Sequence, residues 1–282
     1  MKRHEIDGSF FDKSFDMTKP YISISTTISL LGEPFDSDNV AQKTVDKHFN
    51  NPDSIYYKKT KDQILAMWEA KGAASRKYGC LLDDYIGVIL EGDEDDLEMY
   101  NLDNDVDGDA RLSGLVRSFT DFKDYILSKF PNLEYVSRER TMYYDMGNFL
   151  LKGRFDALFY DTDRKKWIVV DWKSSGTIDK TPNQWTKNLL GPAKVFPALN
   201  WYTYTIQTYF YKTALLTHYL PEGTNPDDVE VWIVNLPGVV NDKGNWFGVH
   251  LAAFNYDKEL LDNIFNFAYK KNEILRKKEQ LK

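Results

Sequence analysis

From Leu133 to Ser174 the hydrophobic period of the chain is two, across three successive runs: Leu133–Tyr144, Phe149–Tyr160 and Trp167–Ser174. Alternation sustained over this length demands strands, because only an extended backbone sends successive side chains to opposite faces. The last two runs are joined by Asp161-Thr162-Asp163-Arg164-Lys165-Lys166, whose turn-forming residues predict a hairpin. Elsewhere the period is helical. Gln63–Leu90 predicts two helical pieces interrupted around Gly72 and Gly79. Leu115–Phe130 predicts an amphipathic helix closed by Pro131, and two more helices are expected over Trp201–Tyr219 and Asp257–Lys278. Val229–Leu236 and Trp246–Leu251 read as further strands. The first twenty residues read as a loosely ordered lead-in ending at Pro20, and Tyr21–Ile28 as a short strand or the start of a helix. This order predicts a mixed α/β fold, a central mixed β-sheet flanked by helices. A helical N-terminal region, 1–132, is expected to pack on a core of 133–282 as one compact unit.

The chemistry concentrates in the same stretch. In Trp167-Ile168-Val169-Val170-Asp171-Trp172-Lys173-Ser174, Asp171 and Lys173 share one strand face while Val170 and Trp172 share the other. Placing a carboxylate and an ammonium on an apolar strand incurs several kcal/mol of desolvation per ion. A bound divalent cation with a phosphate would offset that, and so would a structural ion pair. The neighbouring run, Gly153-Arg154-Phe155-Asp156-Ala157-Leu158-Phe159, puts a second carboxylate in the middle of an apolar strand one hairpin away. Two converging carboxylates repel unless a cation lies between them, and oxygen ligation favours Mg²⁺ or Mn²⁺. Gly153 is expected to let the backbone approach a ligand closely. Further on, Gln207 and Tyr211 stand four apart, on one face of the expected helix.

In this order, G-R-F-D, V-V-D-W-K-S and Q-T-Y-F-Y resemble the PD-(D/E)XK nuclease superfamily, and more narrowly its RecB-type branch of recombination, phage and mitochondrial genome-maintenance exonucleases. The three motifs span Leu133–Tyr219, implying a restriction-endonuclease-like core. Weaker similarity reaches back to Ile22–Ile28, like the branch's N-terminal S-V-T-T segment. It also includes Trp68–Gly72 through Gly79–Asp83, like its W…G-x-x-x-H helix. The resemblance implies that Asp156 and Asp171 hold the metal with the Trp172 backbone carbonyl. It implies that Lys173 positions and helps deprotonate the attacking water, and that Gln207 and Tyr211 orient the motif and contact the DNA backbone. Where the branch carries histidine four residues after Gly79, this chain has Asp83, itself able to ligate a hard cation; a slipped register would put Asp84 there instead. Glu139 matches an acidic position of relatives and equally suits a solvated strand site. Arg154, Ser174, Lys180, Trp185 and Lys187 are the further candidates for nucleic-acid contact.

Composition bounds the alternatives. One cysteine, Cys80, excludes an internal disulfide, an iron–sulfur cluster and a four-cysteine zinc site, and argues for a reducing compartment. No apolar stretch follows the basic N-terminal residues and no run suffices to cross a bilayer, so a soluble cytoplasmic protein without a membrane partner is expected. The net charge of −7 argues against a nucleic-acid partner. The acidity is uneven, however: Asp83–Asp109 carries twelve carboxylates and no basic residue, whereas Lys270–Lys282 is basic. Asp103-x-Asp105-x-Asp107-Gly108-Asp109 imitates a calcium loop, but Gly114 stands where a bidentate glutamate is needed. His4, His48, His218 and His250 show no ligand spacing, and a structural role is expected for His218. Between Lys180 and Trp201, Lys180, Lys187 and Lys194 alternate with Trp185, Phe196 and Trp201, a pattern that suits base stacking beside phosphate contacts or an ordinary packed loop.

The activity that the resemblance implies is a Mg²⁺- or Mn²⁺-dependent deoxyribonuclease, an exonuclease on linear single- or double-stranded DNA, with a helicase or recombination protein as partner. A structure-specific endonuclease on the same core, a silent nucleic-acid-binding protein and a calcium-regulated module are the alternatives.

Overall fold

A computed structural model describes residues 1–92, 110–241 and 244–280. The apolar alternation does produce strands, but two sheets rather than one. Three strands, β1 (Tyr21–Ser23), β3 (Thr141–Asp145) and β4 (Leu150–Arg154), form a sheet of order β1-β4-β3, with β1 parallel to β4. Five others, β2 (Leu133–Arg138), β5 (Ala157–Asp161), β6 (Lys166–Lys173), β7 (Val229–Asn235) and β8 (Gly248–His250), form a sheet of order β2-β5-β6-β7-β8, parallel only at β6–β7. Two of the expected strands therefore each split in two. Leu133–Tyr144 breaks at Glu139, whose φ of 49° no strand accommodates. Phe149–Tyr160 breaks at Phe155–Asp156, where the chain passes from the three-stranded sheet to the five-stranded one. The 161–166 hairpin forms as expected, with Lys165 taking the left-handed turn position at φ 55°.

Six helices accompany the sheets among the described residues. They are α1 (Ile24–Leu31), α2 (Ser37–His48), α3 (Lys61–Glu91), α4 (Ala110–Lys129), α5 (Asn200–Ala214) and α6 (Lys258–Gln280). The two pieces expected over Gln63–Leu90 are one uninterrupted helix. A Thr60–Gln63 capping box starts α3 and Gly92 ends it in the left-handed conformation. Each interior glycine costs a helix about 1 kcal/mol, too little to break one that packs along the core. Helix α2 has no counterpart in the sequence reading: only Ala41 is buried along it, so no apolar stripe announces it. Helix α5 ends in a single π turn, Leu215–Tyr219.

The lead-in is anchored rather than loose. Arg3 bridges to Tyr135, His4 Nδ1 lies 2.8 Å from Glu134 Oε2, and Phe10 and Phe11 stack around Trp167, Phe155 and Tyr219. His218 is structural, as expected: its Nε2 accepts the Asp145 N–H at 3.2 Å. The five-stranded sheet separates two apolar clusters. Val169 and Val231 join α1, α5 and α6 on one side; Ile168, Val170, Trp172, Trp232 and Val234 join α3 and α4 on the other. The chain is thus a mixed α/β fold with helices on both faces of its main sheet. No helix among the described residues is long and apolar enough to cross a membrane. The calcium-like run Asp103–Asp109 lies outside the described residues, as does most of the acidic stretch expected to be a solvated loop.

Candidate active site

The antiparallel register Ala157↔Val170 sets Asp156 beside Asp171, one step past the end of the ladder. Asp156 therefore occupies the link between β4 and β5, not the middle of a strand. The reason is the change of sheet at that point, which also releases the Trp172 backbone N–H from strand pairing to donate to Asp156 Oδ2 at 2.6 Å. Asp171 is 1% exposed. Lys173 Nζ lies 2.5 Å from its Oδ2, as two residues on one strand face can. Apart from that ion pair, neither oxygen of Asp171 has a hydrogen-bond partner among the described residues.

The electrostatics follow from this crowding. Burial, and then the Asp171 charge, push the Asp156 carboxyl up to about 8, against the pull of Lys173. Asp171 is raised as well, by burial, with Lys173 opposing. Burial disfavours the Lys173 ammonium, yet Asp171 and Asp156 together outweigh it and its pKa ends above the ordinary value. One half-buried cation thus faces two carboxylates, Asp171 buried and Asp156 half-buried, which leaves a deficit of positive charge. Hard oxygen donors, one carboxylate with orphaned oxygens and this deficit all suit a divalent cation. Among the described residues, no three Asp, Glu, His or Cys side chains converge tightly enough to ligate an ion by themselves, so backbone carbonyl or solvent would complete the shell.

A cavity of about 160 Å³ opens on Asp156, lined also by Gly79, Leu82, Asp83, Trp172 and Ser174. Helix α3 delivers Asp83, with Gly79 on the preceding turn beside Ser174. Burial and the Glu139 charge lift Asp83 to about 6, with Arg138 opposing. Arg138 lies between these acids, 3.4 Å from Asp83 and 3.3 Å from Glu139, and Arg154 holds the other Glu139 oxygen at 2.9 Å. Gly87 makes room on α3 for the Arg138 guanidinium. Asp84 is not among the cavity-lining residues.

Helix α5 closes the opposite side. The Tyr211 hydroxyl donates to the Arg154 carbonyl at 2.6 Å, which fixes the end of β4; burial raises its pKa and the neighbouring Gln207 side chain opposes. Gly153 serves this packing. A Cβ there would lie 2.9 Å from the Tyr211 ring and 3.0 Å from Ile24, and closer still to Phe210. Two contributors escaped the sequence reading. Tyr204, one turn before Gln207 and Thr208, places its ring centroid 4.5 Å from Lys173 Nζ. Asn235 ends β7 opposite Lys173; with its amide oriented to donate, it bonds the Lys173 and Ser175 carbonyls at 2.8 and 2.7 Å. The signals were a tyrosine on the Tyr211 face of the helix and a polar residue closing an apolar strand.

The 180–201 segment makes contacts of its own. Lys180 stacks on Trp201 at 4.6 Å, Lys187 pairs with Glu33, and Phe196 is stacked against Phe254 at 4.2 Å as part of the core. Trp185 alone of its aromatics stands clear, 80% exposed.

A family model for the PD-(D/E)XK nuclease superfamily matches residues 90–279. The chain belongs to that superfamily. Nucleases of this superfamily are generally dependent on a divalent metal, act on nucleic acid and share the mixed α/β core described above. No curated protein matches the sequence. Among solved structures, this PD-(D/E)XK chain is similar to a Eubacterium rectale protein assigned as an exonuclease. Identity is 13% and the TM-score 0.45, over 92% of this chain and 81% of the other.

Proposed function

We propose that this PD-(D/E)XK protein is a Mg²⁺- or Mn²⁺-dependent exodeoxyribonuclease acting on linear DNA. The supporting observation is the adjacent pair of half-buried Asp156 and buried Asp171, short of positive charge and with Lys173 as the ammonium beside them. Asp156, Asp171 and the Trp172 carbonyl would hold the cation, with Asp83 reaching it across the cavity and Glu139 behind Asp83. The cation supplies charge neutralisation at the scissile phosphate and acidifies a water. Lys173, held by Asp171 and Tyr204, stays an ammonium that orients the attacking water and helps its deprotonation through its positive charge. Gln207 and Tyr211 brace the β4 end that carries Arg154, and Arg154 and Ser174 contact the phosphate backbone. Trp185, with Lys180 and Lys187 nearby in the chain, offers a stacking face for a base at the DNA end. The similarity of the motif set to RecB-type exonucleases supports end dependence, a cytoplasmic setting and a helicase or recombination protein as partner.

End-labelled linear DNA and covalently closed circles, digested with Mg²⁺, Mn²⁺ or Ca²⁺, test this directly. Linear molecules should shorten progressively with the first two ions, circles should persist, and chelation should stop the reaction. Nicking of circles at a rate comparable to linear digestion overturns the exonuclease assignment, and undiminished cleavage in chelator overturns the metal site.

A further inference from the structure

A second cavity, of about 560 Å³, lies away from the nuclease site at the outer edge of the main sheet. It exists because β8 pairs with β7 only over Ile233–Asn235, while the segment after β8 turns off towards α5. The edge of β7 from Val229 to Trp232 therefore has no strand beside it, and α4 and α5 form the two walls. Tyr125, Phe130, Val231, Trp232 and Leu251 make the lining predominantly apolar.

Lys212 of α5 breaks that pattern. It is 7% exposed and lines the cavity, yet among the described residues it makes no ion pair or hydrogen bond through its ammonium. Its closest partners are aromatic: Nζ lies 4.7 Å from the Tyr256 ring centroid and 5.9 Å from that of Tyr209. Burial holds its pKa below the ordinary value, although Asp227 and Glu230 act from a distance in the other direction. Glu230 is already held by Arg164 at 2.9 Å, and Arg164 also pairs with Asp161. A buried lysine without a counter-charge is unfavourable unless something supplies one.

We propose that this cavity binds a small organic monocarboxylate with an apolar body, its carboxylate on Lys212 and its chain or ring along Val231 and Trp232. Arg164, Asp227 and Glu230 also line the cavity, Arg164 and Glu230 paired with each other, and Lys212 has no carboxylate within ion-pair distance among the described residues; beside those acids a single added carboxylate suits it better than a phosphate. The volume lies in the range of small-molecule sites and the lining asks for an apolar body. Neither the superfamily membership nor the nuclease reading assigns a function to this cavity. Tyr211, one residue earlier, faces the candidate active site, so the two sites back onto one helix.

Calorimetry of the whole protein with octanoate and with octanamide tests the proposal, alongside the indole N–H resonance of Trp232. Octanoate should saturate the protein below about 10 mM, a range that covers weak small-molecule affinities, and should shift the Trp232 signal. Octanamide should bind at least about tenfold more weakly, as expected for loss of a charge-assisted contact. In Lys212→Met, which keeps the side-chain volume, octanoate should fall to the octanamide level. Should that variant fail to fold, competition in the wild type between octanoate and its amide at the Trp232 signal still decides. No saturable octanoate binding, equal affinity for acid and amide, or unchanged octanoate binding in Lys212→Met overturns it.

Discussion

Replacing Asp156 with asparagine should make the metal-free protein more stable while removing its activity. The isosteric amide keeps an acceptor for the Trp172 N–H, so the 2.6 Å hydrogen bond survives. What disappears is a carboxyl whose pKa the fold lifts from 3.8 to about 8. A group raised in this way favours the fold below its unfolded pKa, where both states are protonated. That advantage is lost progressively as pH climbs towards the folded value. Each unit is worth about 1.4 kcal/mol, so the ceiling near pH 8 is about 6 kcal/mol. Relaxation and water around Asp156 offset most of this, leaving about 2 kcal/mol. For a chain of this size that raises Tm by about 3 °C. Thermal unfolding of both proteins in chelator, at about pH 8 and about pH 5, reads the effect; the gap should shrink to about a third at the lower pH. Added Mg²⁺ should then raise the wild type and leave Asp156→Asn nearly unmoved. A variant no more stable than wild type near pH 8, or a gap that ignores pH, refutes the electrostatic reasoning.

Three further outcomes follow from the same geometry. Asp83→Ala should raise the Mg²⁺ concentration needed for half-maximal cleavage, and Asp83→His should recover activity better with Mn²⁺ than with Mg²⁺, since imidazole suits the softer ion; identical metal titrations in wild type and Asp83→Ala would take Asp83 out of the site. Gly153→Ala should lose about 1–3 kcal/mol in chemical denaturation, because the new methyl meets the Phe210 and Tyr211 rings. Trp185→Ala should leave the melting temperature within about 1–2 °C, as expected for an exposed side chain, but weaken binding to single-stranded DNA ends; unchanged binding would discard the stacking role.

The most legible part of the molecule was β6. Its alternation assigned Asp171 and Lys173 to one face and Val170 and Trp172 to the other, and the structure keeps that division. The 161–166 hairpin was legible for the same reason: turn chemistry is local. The division into two sheets was not, since a strand that changes sheet keeps its alternation on both sides of the change, as Phe149–Tyr160 does. Likewise Gly72 and Gly79 read as breaks because propensity is local, while the continuity of α3 comes from the tertiary packing of Leu82, Ile86 and Leu90. Arg138 shows the limit most clearly. Nothing in its neighbourhood along the chain marks it as the cation between Asp83 and Glu139, a role created by folding β2 against α3.

Only two residues, Phe155 and Asp156, connect β4 to β5, and they face different surroundings: the phenylalanine ring is buried in the apolar cluster around Phe11 and Tyr211, the carboxylate turned to Asp171. Chain length at this joint is therefore as strictly specified as residue type. An insertion or deletion of one residue would leave both sheets able to form, yet it would bring a different side chain opposite Asp171. The Asp161–Lys166 turn and the Gly176–Pro197 connection end no ladder that sets a carboxylate, and length changes there reach the site only indirectly. Among descendants of this sequence, gaps should accumulate in those two segments, while the span from Gly153 to Ala157 keeps its length even where its residues drift.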